Sequence, residues 1–331
     1  PVKNLAISLH KKVEAINVFY LDESYDPIIF NCTVEKISFN SQINFDYFDI
    51  LHSHTLRADY YLFKWKYLIK RAKIISTIHQ DAFKTFSYKY NKINSFLITI
   101  LWCFIHRRFY GIISVSDYIK NKYSKLVNKN IHTIYNGCSV NELKFNNNFY
   151  YSIIDLRSRG YKILASYSFI TKNKGHEQII NALDKLNDYA FVIMGSGPYL
   201  NKIKEIVINQ NLQNRVLFLP YIEKPYSYLD LIDVYMMPSY SEGFGMAMVE
   251  AALLKKSIVC SDIPIFHELF NDSCVTFFTL NDTESLVMAI QLAYENREQM
   301  GLKAYIKAIS SYTLDCAAIK HLDYYVSLVN R

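Results

Sequence analysis

Glycine and proline are scarce in this sequence of 331 residues, and its cysteines form no recognisable motif. Nine glycines and seven prolines fall well below the average usage of about 7% and about 5%, so we expect long regular elements joined by short loops. The six cysteines lie far apart, without a Cys-x-x-Cys pair, which argues against a disulfide framework. We therefore expect reduced thiols in a cytosolic protein.

Long hydrophobic runs are also missing. The longest mostly apolar run, Phe96 to Ile105, has ten residues, whereas a membrane-spanning helix needs about 20. No stretch at the start has the cationic, apolar and small-residue parts of a signal peptide. Pro1 to Lys12 reads as a helix and the first strand comes only at Asn17, so we expect a chain that lacks the first strand and turn of a complete α/β domain.

The residues that are present describe a globular protein with one basic half. Apolar residues make up 51% and charged residues 20% of the chain, which excludes disordered and collagen-like classes, and the length suggests two domains. Residues 1–140 hold 19 Lys and Arg against 10 Asp and Glu, and residues 141–331 hold 18 against 20. A basic half can attract nucleic acid, an anionic membrane or an anionic substrate. No nucleic-acid motif is readable, so we expect no nucleic-acid partner.

Short β-rich runs alternate with amphipathic stretches along the chain, which predicts parallel sheets covered by helices. A helix is predicted at His176 to Leu186, and another near Leu314 to Val329. The polar, aperiodic stretch 145–160 separates the halves. We predict domains at 1–145, 146–313 and 314–331, the last a helix that packs on either domain. The predicted strands are 17–21, 49–52, 73–78, 111–115, 131–134, 162–167, 190–194, 216–219, 234–237, 257–260 and 275–278.

The most informative stretch is PSYSEGFGMAMVEA, residues 238–251. It follows a predicted strand, turns through two glycines and enters a helical pattern. Gly243 and Gly245 allow a tight turn and a close approach of the backbone to a ligand. The following helix would present free N–H groups and a positive dipole end, which suits a diphosphate.

Two glutamates flank this turn. Glu242 precedes the helix and Glu250 lies inside it, and eight residues at about 1.5 Å of rise separate them by at most about 12 Å. That distance is comparable to the span between the sugar and ribose ends of a nucleotide diphosphate sugar. By themselves the two residues could equally be a turn residue and a solvated helix residue.

The stretch resembles the motif of the retaining group 1 (family 4) glycosyltransferases, in which two glutamates separated by seven residues bind a nucleotide-sugar donor. Further resemblances follow in the expected order: 134–140 (IYNGCSV), 174–176 (KGH), 195–198 (GSGP) and 262–268 (DIPIFHE). The resemblance implies the GT-B fold, an α/β architecture of two Rossmann-like, doubly wound parallel-sheet domains facing a central cleft. The N-terminal domain would bind the acceptor and the C-terminal domain the nucleotide sugar.

The same resemblance implies roles for individual residues. Glu242 would contact the donor sugar and Glu250 the ribose, and His79 in STIHQD would be the active-site histidine. Lys174 would contact the donor diphosphate. The remaining donor-binding residues implied by the resemblance are Gly175, Gly195, Gly243, Phe244 and Gly245.

One position departs from the family pattern. Phe169 stands where the family commonly has an arginine that pairs with the diphosphate, and Lys172 is the candidate for the second charge. No Asp-x-Asp triad is present, and the histidines of LHSH, His52 and His54, have no carboxylate cluster beside them, so we expect no metal and no cofactor besides the nucleotide sugar.

Cations and aromatic residues are interleaved in the basic half. Lys64 to Lys73 and the pair Arg107 and Arg108 lie close in sequence to Trp65, Tyr67, Trp102 and Phe104. Such a face suits peripheral binding to the cytoplasmic side of an anionic membrane, where a lipid-linked acceptor would be found. An ordinary α/β helix with lysines in water has the same pattern.

We therefore predict a retaining, metal-independent glycosyltransferase that moves a sugar from a nucleotide diphosphate sugar to a hydroxyl of a glycan or lipid-linked acceptor. Its pathway would be bacterial surface polysaccharide or lipopolysaccharide synthesis. Two alternatives stay open: a sugar-nucleotide epimerase on the same fold, and a catalytically impaired protein that binds a membrane surface.

Overall fold

A computed structural model describes residues 2–10, 12–21, 32–82, 84, 91–140 and 146–330. The chain divides into two compact units. The first unit comprises Pro1–Gly137 with Tyr312–Arg331, and the second comprises Cys138–Ser311.

The first unit contains a parallel four-stranded sheet, in the order β3-β4-β5-β6, and a separate parallel pair, β1-β2. A short 3-10 turn, Phe45–Tyr47, precedes β3. The strands are β1 (Asn17–Tyr20), β2 (Thr33–Lys36), β3 (Ile50–Ser53), β4 (Lys73–Ile78), β5 (Gly111–Ser114) and β6 (His132–Thr133). The helices are α1 (Val2–Leu9), α2 (Leu56–Trp65), α3 (Lys92–His106) and α4 (Asp117–Val127).

The second unit is built on a parallel six-stranded sheet with the order β12-β11-β10-β7-β8-β9. Its strands are β7 (Lys162–Tyr167), β8 (Tyr189–Met194), β9 (Val216–Leu219), β10 (Val234–Met237), β11 (Ser257–Ser261) and β12 (Thr276–Phe278). Its helices are α5 (Asn147–Ser158), α6 (His176–Leu183), α7 (Leu200–Asn209), α8 (Met246–Leu253), α9 (Pro264–Leu269), α10 (Thr283–Glu295) and α11 (Arg297–Ser311). Two 3-10 segments are Lys172–Lys174 and Pro225–Leu231.

The second sheet is covered on both faces, and this explains why its strands read as continuous apolar runs. Every residue of β8, β10 and β11 is buried, as parallel strands between two helical layers require. The strand order reverses at β7: β8 and β9 follow on one side of it, and β10, β11 and β12 on the other. Strands β7 and β10 therefore lie side by side although two other strands separate them in sequence. In open α/β sheets, ligands bind beyond the carboxyl ends of the strands at such a point.

The last helix, α12 (Leu314–Val329), belongs to the first unit. Tyr324 and Leu328 pack on Ile75 and Ile113 of β4 and β5. A Cβ placed on Gly111 would lie 2.2 Å from the Tyr324 hydroxyl oxygen. Glycine at the start of β5 therefore lets the tyrosine ring lie directly against the strand.

The structure confirms the predicted strands to within two residues at their ends, and one strand, β2, was not predicted. All four of its residues are exposed, so it lacks the apolar pattern by which strands are found. The prediction of an aperiodic connection at 145–160 is wrong, because α5 occupies Asn147–Ser158 and buries Ile153 and Leu156.

The division into units also differs from the predicted boundaries at 145/146 and 313/314. The structure divides the chain after Gly137 and after Ser311. Cys138 lies against α8 of the second unit, with its Sγ 3.8 Å from the Met246 carbonyl oxygen. Tyr312 contacts Tyr135 of the first unit edge to face, with ring centroids 5.5 Å apart.

Candidate functional site

The turn between β10 and α8 is buried and strongly curved. Gly243, Phe244 and Gly245 are all buried, and Gly245 adopts a φ of +97° immediately before α8. The N-cap residue of α8 is Gly245, which has no side chain to cap the helix. The Met248 amide donates to the Gly245 carbonyl at 3.1 Å, and the amides that precede Met248 lie at the helix start, the kind of position where anions bind.

Glu242 is held by two side chains at the mouth of this turn. Lys174 Nζ donates to Glu242 Oε1 at 2.6 Å, and the Ser239 hydroxyl donates to the same oxygen at 2.8 Å. Lys174 and Glu242 are 68 residues apart in sequence, and both side chains are mostly buried. The structure therefore brings together a cation and a carboxylate that the sequence assigned to one donor site.

Backbone contacts join the loop that carries Lys174 to the loop that carries Glu242. Gly175 adopts a φ of +67°, and a Cβ there would lie 2.1 Å from the Pro238 carbonyl oxygen. Asn173 Nδ2 donates to the Ser241 carbonyl at 2.8 Å, and the Tyr240 amide donates to the Asn173 carbonyl at 2.9 Å. Only glycine fits this close approach, so Gly175 fixes the distance between the two loops.

Glu250 lies in the second turn of α8, where Tyr167 contacts it. The Tyr167 hydroxyl donates to Glu250 Oε2 at 2.8 Å. Burial raises the pKa of the Glu250 carboxyl to about 7, although the Tyr167 hydrogen bond acts in the opposite direction. Burial and the nearby Glu250 carboxyl also raise the pKa of Tyr167 well above its ordinary value, so its hydroxyl remains a donor.

Three further predicted residues lie at the carboxyl ends of β7 and β8. Gly195 adopts a φ of +139°, and a Cβ there would lie 2.1 Å from the Ser168 carbonyl oxygen. Lys172 is exposed in the turn before Lys174. Phe169 is 65% exposed, so it makes no core contact that would account for its place beside this site.

His176 lies beneath the site and was not predicted as a functional residue. It begins α6, where its side chain is buried and its Nδ1 has no hydrogen-bond partner among the described residues. Burial, with a smaller effect of the Lys174 charge, lowers the pKa of His176 to about 4. The imidazole is therefore neutral at pH 7 and adds no charge to the site.

His79 lies in the first unit, in a cluster of four histidines. His54 Nδ1 and His79 Nε2 share a hydrogen bond of 2.9 Å, and their rings are stacked. His52 lies between Tyr325, 2.7 Å from its Nδ1, and Thr77, 2.7 Å from its Nε2. The fourth member, His321 of α12, bonds to a carbonyl of its own helix.

Burial lowers the pKa of all four histidines. The pKa of His79 falls to about 4, and the pKa values of His52, His54 and His321 are lowered for the same reason. His54, His79 and His321 line a cavity of about 20 Å³, which has room for about one water molecule. In the described part of the chain, no group of three His, Cys, Asp or Glu side chains could hold a metal ion.

Asp81 anchors the loop that follows His79. Its carboxylate accepts hydrogen bonds from the Tyr123 hydroxyl, at 3.0 Å, and from the Lys122 ammonium. Asp81 is 3% exposed. Asp81 is therefore bound by Tyr123 and Lys122 of α4, and these contacts help to hold the backbone that follows His79.

Three supporting residues were missed in the sequence. Ser239, Tyr167 and Asn173 hold Glu242, Glu250 and the Lys174 loop, respectively. Tyr167 ends β7 and Ser239 follows β10, and the ends of parallel strands beside a change of direction are where ligand-binding side chains are expected. A search for polar residues at strand ends would have found both.

Comparison with known proteins places this geometry in a family. The family profile described as "Glycosyl transferases group 1" matches residues 154–308, and that described as "Glycosyltransferase Family 4" matches residues 36–142. The O-antigen biosynthesis glycosyltransferase WclY of Escherichia coli is 31% identical over 335 residues, covering 99% of this chain and 94% of WclY. The chain belongs to the group 1 glycosyltransferases. Lys174, Glu242 and Glu250 of this glycosyltransferase lie within the first profile, and His79 lies within the second.

A solved structure and a second relative agree with this assignment. The Anabaena protein HepE in complex with UDP-glucose superimposes with a TM-score of 0.77 at 16% identity, covering 94% of this chain and 99% of HepE. The fold is therefore GT-B, as the sequence predicted. A Campylobacter jejuni enzyme, the N-acetylgalactosamine-N,N'-diacetylbacillosaminyl-diphospho-undecaprenol 4-alpha-N-acetylgalactosaminyltransferase, is 24% identical over 57% of this chain and 63% of its own length.

Proposed function

We propose that this glycosyltransferase transfers a sugar, with retention of anomeric configuration, from a uridine diphosphate sugar to a hydroxyl of a lipid-linked glycan in surface-polysaccharide synthesis. HepE supports uridine as the base because it was solved with UDP-glucose. WclY supports the pathway, since its name places it in O-antigen biosynthesis. The C. jejuni relative supports the acceptor class, because its name specifies a diphospho-undecaprenol substrate.

The observation that carries the proposal is the contact among Lys174, Glu242 and Ser239 beside the start of α8. Lys174 Nζ lies 2.6 Å from Glu242 Oε1, so the cation lies beside the residue that opens the turn into α8. A diphosphate binds well to such a combination of an ammonium and free amide N–H groups. We assign Glu250, further along the same helix, to the ribose hydroxyls, because its carboxylate accepts hydrogen bonds.

We propose that the acceptor oxygen attacks the anomeric carbon on the face from which the diphosphate leaves. The carbon–oxygen bond to the diphosphate breaks as the new glycosidic bond forms, and the acceptor proton passes to an oxygen of the departing diphosphate. Lys174 and the amides of α8 stabilise the negative charge on that group. In this proposal Lys174 and the helix amides stabilise the leaving diphosphate without a divalent ion, so sugar transfer should persist in the presence of EDTA.

Thermal unfolding with nucleotides tests the donor site. UDP at about 100 times its Kd should stabilise the protein by about 2.7 kcal/mol, a rise in Tm of roughly 5 °C. Lys174→Ala and Glu250→Ala should abolish this rise. Lys202→Ala is the matched control, because Lys202 is an exposed lysine of the same unit that pairs with Glu205, and it should retain the full shift.

The outcomes separate the proposal from its alternatives. A shift with GDP or ADP alone would overturn the choice of uridine, and no shift with any nucleotide would overturn donor binding. Release of free UDP from a sugar nucleotide without an acceptor would favour the epimerase. His79→Ala should lower the transfer rate while the UDP-induced Tm shift is retained, and NMR of the product should show the donor's anomeric configuration.

A further inference from the structure

Helix α3 of the first unit presents an apolar face to solvent. Its buried side includes Trp102, Cys103 and Ile105, so the helix is apolar on both sides. A helix of this kind is found within a core or against a membrane. The exposed apolar face comprises six residues that are between 39% and 72% exposed: Ile93, Phe96, Leu97, Ile100, Leu101 and Phe104.

Aromatic and aliphatic residues of α2 and of the turn after it extend this face. Phe63 contacts Phe104 edge to face, with ring centroids 6.1 Å apart. Tyr67 is 83% exposed and Leu68 is 45% exposed. Residues of α2, of the turn after it and of α3 thus contribute to one apolar surface. Ordinary protein surfaces carry single, scattered apolar residues, whereas these are contiguous.

The border of the exposed apolar face is uniformly positive. Residues 60–80 hold five Lys and Arg, residues 91–116 hold three, and neither range contains an Asp or Glu. Lys66 Nζ lies 4.6 Å from the ring centroid of Tyr67, and the Arg108 guanidinium lies 5.1 Å from that of Phe104. These side chains lay their stems along the apolar surface and keep their charges at its edge.

We propose that the exposed apolar face of α3 docks on an anionic lipid bilayer, with its apolar side chains in the acyl boundary and Lys66 and Arg108 at the headgroups. Charges of a single sign favour an anionic bilayer over a protein partner, because lysine is depleted in protein interfaces. The inference rests on the proposed function for its purpose, since a lipid-linked acceptor is reached from a membrane surface. Among the described residues, no helix is both long and apolar enough to cross a membrane.

The structure changes which residues would touch lipid. The sequence suggested Trp102, but that prediction is wrong, because the Trp102 indole N–H donates to the buried carboxylate of Asp59. Asp59 also accepts from the Ser53 hydroxyl at 2.5 Å and lies 3.0 Å from His106 Nε2. These contacts hold Trp102 and His106 on the buried side of α3. The opposite side of the helix, from Ile93 to Phe104, therefore faces solvent.

Vesicle flotation tests the proposal without donor or acceptor, so its result is independent of transferase activity. The protein should float with phosphatidylcholine vesicles that contain about 30 mol% phosphatidylglycerol, and much less with phosphatidylcholine alone. Leu97→Asp/Leu101→Asp should reduce binding at least about tenfold. Lys66→Gln/Arg108→Gln should weaken binding and reduce its sensitivity to salt.

A matched control is available on the second unit. Leu302 and Ile306 of α11 are also exposed, also four residues apart, and 49% and 56% accessible. Leu302→Asp/Ile306→Asp should leave flotation unchanged, and both double variants should keep the wild-type Tm. Brominated lipids should quench a tryptophan placed by Leu97→Trp and not one placed by Ile306→Trp.

Three results would overturn the proposal. The wild type could fail to float with any anionic vesicle, or the two aspartate variants could lose binding equally. In the third, the wild type is a dimer in solution and Leu97→Asp/Leu101→Asp makes it a monomer, so that a second copy of the chain covers the face. If flotation occurs but no sugar is transferred, the docking surface stands and the proposed function fails.

Discussion

Glu250 is the residue whose environment most affects the chemistry of this protein. Its carboxyl accepts a hydrogen bond from Tyr167 of β7, and burial brings its pKa to about 7. A group with that pKa changes charge in the physiological range, whereas an ordinary glutamate stays ionised. Donor binding should therefore depend on pH even though the diphosphate itself is already ionised.

We predict that the affinity for UDP-glucose, whose diphosphate diester stays ionised, falls as the pH is lowered from about 8 to about 6. Only ionised Glu250 accepts hydrogen bonds from both ribose hydroxyls, so Kd should rise towards tenfold per pH unit below the pKa. Isothermal titration calorimetry across this range measures the effect. Glu250→Gln should bind UDP-glucose more weakly at pH 8 and show a flat profile, and an equally steep profile in this variant would contradict the assignment.

The same substitution should stabilise the folded protein. Because the folded pKa lies above the unfolded value of 4.5, folding favours the protonated carboxyl, and stability is lost as pH rises through the interval from 4.5 to about 7. At pH 8, Glu250→Gln should therefore raise the free energy of unfolding by on the order of 1–2 kcal/mol. Urea denaturation at pH 8 and at pH 4 tests this, since the gain should vanish at the lower pH.

At the residue scale, the sequence predicted Lys174, Glu242 and Glu250 as members of a donor site, because a motif records their spacing along the chain. The structure brings Lys174 and Glu242 into contact, and their assignment to a donor stays a prediction. Ser239 and Tyr167 were missed because their roles depend on contacts between residues that are not neighbours in a motif. Tyr167, for example, donates a hydrogen bond to Glu250, which is 83 residues away in sequence. No local pattern encodes such a contact.

At the scale of elements, the contact between Lys174 and Glu242 depends on how closely the loops after β7 and β10 approach each other. Gly175 allows that approach, since its missing side chain leaves room for the Pro238 carbonyl. Comparison of Gly175 with Gly160, another glycine of the second unit, distinguishes this packing effect from backbone strain. Gly160 also has a positive φ, +88°, but a Cβ there would meet nothing within 4 Å.

We predict that Gly160→Ala costs about 1 kcal/mol of unfolding free energy, which is the strain of a left-handed conformation. Gly175→Ala should cost about 1–3 kcal/mol more, because the loops must separate to admit the methyl group. Urea denaturation compares the two variants. Gly175→Ala should also lose UDP binding, whereas Gly160→Ala should keep it, and equal effects of both variants would mean that the close approach is unimportant.

The elements were predicted with unequal success for a physical reason. The strands of the second sheet are buried on both faces, so each stands out as an apolar run between polar segments. Strand β2 and helix α5 are mostly exposed, with Ile153 and Leu156 as the buried residues of α5. Strand β2 has a single apolar residue, and α5 mixes six polar with six apolar residues, so neither shows the clear apolar run by which the strands of the second sheet were found.

At the scale of the whole molecule, the two units differ in the number of described histidines whose pKa is lowered by burial. The first unit holds His52, His54, His79 and His321 in one cluster, each with a lowered pKa. The second unit holds His176 with a pKa of about 4. Folding therefore excludes more protons from the first unit than from the second.

We predict that the first unit loses stability first on acidification. Each cluster histidine stabilises the fold fully above its unfolded pKa of about 6.5, and this contribution falls as pH decreases towards the folded pKa. For His79, whose folded pKa is about 4, the loss at about pH 5 should be on the order of 1–2 kcal/mol, and the other three histidines should lose stability in the same direction. Hydrogen exchange at pH 7 and pH 5, corrected for intrinsic rates, should show protection falling more in residues 50–137 than in residues 160–311.

Substitution of one cluster member checks the cause. His321→Gln removes one titrating group, so the stability of this variant should change less between about pH 6.5 and pH 5 than that of the wild type. The exposed His10 offers the control, because His10→Gln should leave the slope unaltered. A uniform loss of protection in both units would contradict a role for the cluster.

The return of α12 to the first unit affects the order in which the protein can fold during synthesis. Residues 138–311 form the second unit without interruption, whereas the first unit also needs residues 312–331. A ribosome that has just finished residue 311 has already made every part of the later unit, but the earlier one still lacks the helix that covers Ile75 and Ile113. The half that is translated first is therefore completed last, and until then its bare sheet is a substrate for chaperones.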